Sequence, residues 1–147
     1  MRAALALIAA LAVGPVAAQP EGFGAAMDEA LEAGGETAPF LRCAGLFRAF
    51  HLLLGDETET GAEALEAELD LAVASSRLRE AETGAPADAV MAEIAPLIAA
   101  AAELYLQRMV ANAAETGQEM DAGLSETLEA CAVLRGQILG TGTGGAE

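Results

Sequence analysis

Cys43 and Cys131 constrain this chain more than any other pair of residues in it, because they are its only cysteines. Each falls on the apolar stripe of a segment with helical periodicity, one near the start of the periodic region and one near its end. If the thiols join, the two ends of that region must meet. The first residues give a reason to expect that they do. Met1-Arg2 is a positive start, Ala3 to Val13 is an unbroken apolar run, Gly14-Pro15 breaks it, and Val16-Ala17-Ala18 supplies small residues before Gln19. This is the pattern of a secretory signal peptide, removed after residue 18, and it is too short for a membrane span. Export would place both thiols in an oxidising compartment, periplasmic or extracellular, where two cysteines usually become one disulfide. A bridge closing so long a loop is worth about 4–5 kcal/mol on the chain-entropy model. The pair lacks the C-x-x-C spacing of a redox-active dithiol.

The residues between the cysteines set the fold class. The chain is 54% hydrophobic, but much of that is alanine; there is no tryptophan, and Tyr105 is the one tyrosine. Sandwiches and barrels need β-branched and aromatic runs bounded by turns, which are nearly missing here. Alanine, leucine and glutamate are strong helix formers. The expectation is an all-α, single-domain antiparallel bundle of about four main helices, with one disulfide joining the first and last.

The punctuation divides the chain into a signal peptide (1–18), a leader with a short helix near 25–33 (19–38), the bundle (39–139) and a flexible tail (140–147). Thr37 and Pro39 suit the cap and first turn of a helix over 39–54, which Gly55 stops. Its stripe is Phe40, Cys43, Phe47, Phe50 and Leu54, flanked by Leu46, His51 and Leu53. No acid occurs between Pro39 and Gly55, so Arg42 and Arg48 make it the one cationic helix of an acidic protein.

A second helix spans 62–82 with two modest apolar faces: Leu65, Leu69, Ala72 and Ser76 on one side, Ala67, Leu71, Ala74 and Leu78 on the other. Such a helix packs twice, or packs once and offers a face to a partner. A third helix spans 87–115, with a stripe of Met91, Ile94, Ile98, Ala101, Tyr105 and Met109, and Pro96 should kink or divide it. Its charge-free run, Ile94 to Ala102, is too short to cross a bilayer. A fourth begins at Asp121 or Ser125 and ends at Leu139, with Leu124, Leu128, Cys131, Leu134 and Ile138 as its stripe.

Charge and missing motifs narrow the chemistry. The formal net charge is −16, with no lysine. Such a field disfavours nucleic acid and anionic lipid as partners. His51 is the only histidine, so the Glu-x-x-His pairs of a di-iron bundle are missing, and a zinc site would need both cysteines reduced plus a fourth ligand. The loop from Asp56 starts like a calcium loop, but its twelfth position is Ala67 rather than glutamate. Cys131 to Arg135 does not read C-x-x-C-H, and a non-covalent haem would depend on His51 with Met91, Met109 or Met120. There is no G-x-S-x-G, and Ser75, Ser76 and Ser125 have no neighbouring base in the sequence.

No catalytic, metal or cofactor residue is therefore singled out. The expectation is an exported, non-enzymatic binding or protein-interaction protein, able to engage a partner or a second copy through Leu65/Leu69 or Leu71/Leu78. Arg42 and Arg48 would serve as anion anchors. The runner-up is a small-ligand or haem carrier with an apolar pocket between Phe47, Phe50, Leu54, Ile98, Tyr105 and Met109, and with Arg48 or His51 at its mouth. A third alternative is an enzyme whose site only the fold assembles.

Overall fold

The computed structural model describes residues 21–142. The expected signal peptide (1–18) and residues 143–147 of the expected tail lie outside them, whereas 140–142 continue the last helix. The protein is an all-α antiparallel bundle. A short helix α1 (Phe23–Leu31) and a 3-10 turn (Glu32–Thr37) lead into four long helices: α2 (Ala38–Leu54), α3 (Glu59–Thr83), α4 (Ala87–Thr116) and α5 (Ala122–Gly142). Gly84 and Gly117 end α3 and α4 in the left-handed region, at φ 69° and 76°, where a side chain would be strained.

The disulfide joins Cys43 of α2 to Cys131 of α5, both buried. It ties the first and last long helices together, as the stripe positions of the two cysteines led one to expect.

Helix α2 is the hub. Leu41, Cys43, Ala44, Gly45, Leu46 and Ala49 are buried, and α3 and α4 pack against it. Gly45 permits the closest approach. A Cβ there would stand 2.5 Å from the Ala101 Cβ and 3.0 Å from the Ala102 nitrogen, so even alanine forces the α2–α4 crossing apart. The aromatic stripe expected to face the core is instead half-buried at Phe40, Phe47 and Phe50, and Leu54 is exposed. Small residues fill the deep side because they let neighbouring helices come close, and the bulkier rings cover the flank.

Three further expectations are corrected. Thr37 does not cap α2 with its side chain; it turns back, donating Oγ1–H to the Gly34 carbonyl at 2.7 Å and locking the 3-10 turn from inside. Pro39 does sit in the first turn of α2. At the start of α4 the buried residue is Val90, not Met91. Pro96 also does not divide the helix, which continues from Ala87 to Thr116 with the proline on its exposed side. Upstream of Pro39 the leader adds Met27 and Leu31 to the core.

Among the described residues, α4 is the one helix long and apolar enough to cross a membrane by length and composition; 33% of its most apolar stretch is buried. Ile94, Ile98, Ala101, Tyr105 and Met109 spend that apolarity on the core.

Candidate binding groove

The polar residues singled out from the sequence are mostly engaged in holding the fold. His51 stands at the end of α2 with Nδ1 3.1 Å from the Gly61 carbonyl and Nε2 3.1 Å from Asp56. Both ring nitrogens are committed to the α2–α3 turn, leaving neither directed at a cavity. The same turn explains the calcium-like glycine. Gly61 is buried against the Gly55 carbonyl, and its N–H donates to Thr58 Oγ1 at 3.0 Å, the cap of α3. Among the described residues no group of three or more metal-ligating side chains converges.

Arg48 faces Glu68 at 3.5 Å. Burial pushes the Glu68 carboxyl above its ordinary range, and the charges of Arg48 and His51 pull it partly back. Arg42 donates to Asp28 at 2.7 Å. Ser75 donates to the Leu71 carbonyl within α3, and Ser76 to the Glu80 carboxylate one turn on.

The apolar candidates separate. Leu71 is fully buried, Leu65 half-buried, and Leu69 and Leu78 exposed at 55% and 43%. Neither proposed pair acts as a unit, because the buried line of α3 runs between them through Ala64, Ala67, Leu71, Ala72, Ser75 and Ser76. Tyr105 is also core. Its ring meets Phe23 at a tilt of 55° with centroids 5.4 Å apart, and burial pushes its hydroxyl up to about 12, against the opposing charges of Arg42 and Arg108. The expected pocket does not form. Ile98, Tyr105 and Met109 are packed inside, whereas Phe47 and Phe50 line a separate shallow cavity of about 300 Å³ with residues of α3 and α5.

A cluster missed in the sequence is Arg108 with Asp121. Arg108 is 3% exposed and donates through Nε and Nη2 to both Asp121 oxygens, at 2.8 and 2.6 Å. Its guanidinium carbon lies 4.7 Å from the centre of the Phe23 ring. Asp121 also accepts from Asn112 and from the Leu124 N–H, both at 2.8 Å, so it caps α5. Burial raises this carboxyl, but the hydrogen bonds from Arg108, Leu124 and Asn112 outweigh it and hold Asp121 below the usual range. One signal was available. Arg108 follows Ile98, Ala101 and Tyr105 at helical spacing, so a cation stands on an apolar stripe.

A larger concavity lies elsewhere. An open groove of about 890 Å³ runs between α5 on one side and α1, the 3-10 turn and the start of α2 on the other, with the Cys43–Cys131 bridge at its base. Leu31, Ala38 and Pro39 line one wall. Gly123, Thr127, Ala130, Leu134 and Gln137 line the other, at the spacing of a single helix face. Val133, 62% exposed, stands on its edge. Of the residues expected to bind, Arg42 is here, beside the two cysteines.

No protein-family model, no curated protein and no solved structure matches this chain.

Proposed function

We propose that the chain is an exported, non-enzymatic binding protein, periplasmic or extracellular once residues 1–18 are removed, that engages a protein partner through the groove beside α5. The groove carries the reading. It is large, open along its length, and mixed in character, with an apolar base and charged edges. The leader sequence and the disulfide support the compartment. The acidic surface supports a protein partner over nucleic acid.

A photo-crosslinking residue in place of Ala130, on the groove wall, tests the reading in an exporting cell, with Ala99 on the exposed side of α4 as control. The expected result is one discrete heterologous adduct from position 130 and none from 99. Equal labelling at both positions, no adduct at 130, or an adduct of twice the protein's own mass would overturn it.

A further inference from the structure

The groove is long, and acids outnumber bases along it: Asp28, Glu32 and Glu126 against Arg42. Its α5 wall extends from Gly123 to Gln137, a rise of about 21 Å at 1.5 Å per residue. Its accessible apolar surface comes from Ala38 and Pro39 on one side and Ala130, Val133 and Leu134 on the other, with Leu31 and the disulfide buried beneath. Val133 is the most exposed large apolar side chain among the described residues, and nothing covers it there.

Carboxylates stand on both edges. Glu32 belongs to the wall of the 3-10 turn, and Glu126 to that of α5; both are exposed. Neither makes an ion pair among the described residues, although Arg48, Arg79, Arg108 and Arg135 are all paired with acids elsewhere. The one cation lining the groove, Arg42, is matched by Asp28 at 2.7 Å. The groove therefore keeps an uncompensated negative charge on each side of an apolar floor. An occupant with complementary chemistry has one apolar face and cationic residues flanking it on both sides.

Resting on the groove as the binding face, we infer that its ligand is a cationic amphipathic helix of a partner protein, about fourteen residues long to match the α5 wall. The apolar face of that helix lies over Pro39, Ala130, Val133 and Leu134. Its lysines or arginines reach Glu32 on one edge and Glu126 on the other. The electrostatic part should steer encounter and weaken with salt, and the apolar part should hold the complex.

The test uses protein purified from an exporting host and three synthetic fourteen-residue peptides. One carries Leu and Lys at amphipathic helical spacing, one replaces each Lys by Glu, and one replaces each Leu by Ser. The Leu/Lys peptide should bind and shift the backbone amides of Gly35, Gly123, Thr127 and Ala130 in NMR spectra; the other two should bind at least tenfold more weakly. Reversing both edges in the Glu32→Lys/Glu126→Lys variant should cost at least tenfold in affinity for the Leu/Lys peptide. The Glu57→Lys/Glu115→Lys variant changes net charge equally at exposed positions outside the groove, and should lose less than threefold.

Equal losses in the two variants, shifts spread over the whole acidic surface, or binding of the Leu/Glu peptide overturns the inference. So does concentration-dependent shifting of the same amides without peptide, which assigns the groove to a second copy. A discrete heterologous adduct at position 130 together with failure of the Leu/Lys peptide removes the cationic helix but leaves the groove reading intact. Loss of the adduct removes both.

Discussion

Helices α2 and α5 share one covalent bond, and little else about how they are held is alike. Helix α2 is fastened along its length: six of its residues are buried, and Gly45 brings its backbone against α4. Helix α5 is fastened at points. Asp121 caps it and pairs with Arg108, Cys131 pins its middle, and Arg135 Nε reaches Asp70 at 2.8 Å one turn further on. Between and beyond these points Leu124 is buried, Leu128, Leu134 and Ile138 are half-buried, and Val133 and Leu139 are exposed. Continuous burial sets α2 at the closest distance its side chains allow. Helix α5 is buried less continuously, and the groove opens beside it. Position by apolar packing and position by discrete links thus coexist in one small bundle, and the candidate binding face lies where the second replaces the first.

The largest expected effect comes from removing the central link. The Cys43→Ala/Cys131→Ala variant should lose about 4–5 kcal/mol on the chain-entropy model. Amide exchange should then show α5 opening at a lower free energy than α2. Equal protection of the two helices after the bridge is gone would erase the contrast between them.

Asp121→Asn sharpens it, because asparagine still caps a helix but leaves the buried Arg108 without a counter-charge. A loss of about 3–4 kcal/mol is expected in denaturant titrations, concentrated in α5 and the end of α4. The same group governs an acid limb. Asp121 is held below its ordinary range in the folded protein, so unfolding at low pH takes up a proton. Its contribution should be intact above about pH 4 and decline as pH falls through the folded value. The Asn variant should lack that part of the decline; a limb of unchanged steepness would contradict the assignment.

A smaller loss, about 3 kcal/mol, is expected from Leu46→Ala at the centre of α2. It should lower protection in every helix together, since all of them lean directly or indirectly on that position. A loss confined to α2 would mean that α2 is not the hub.

These differences also explain which features could be read from the sequence. The long helices were legible because glycines mark their ends at Gly55, Gly84 and Gly117, and the disulfide because both cysteines stand on stripes. The faces of α3 were not. Alanines occur on every side of that helix, so the buried line through Ala67, Leu71 and Ser75 is hard to tell from its neighbours until packing selects it. The rings of α2 misled for a related reason: a close crossing requires Gly45 and Ala49, and larger side chains move outward. Arg42 was chosen as an anion anchor without sight of Asp28, fourteen residues upstream on another helix. The groove left no mark because it belongs to no segment. It depends on the distance between α5 and the α1–α2 wall, which Arg108, Cys43 and Asp70 determine from remote parts of the chain.

The bridge also imposes an order of events. A chain emerges amino end first, and 88 positions separate Cys43 from Cys131. Throughout that interval the Cys43 thiol has no partner within its own molecule, so the only disulfides open to it are with other molecules. When Cys131 does appear, one intramolecular pairing exists, and it is the native one. This protein therefore needs no shuffling of bonds to mature, but it passes through a long stretch in which a single thiol must be kept from strangers.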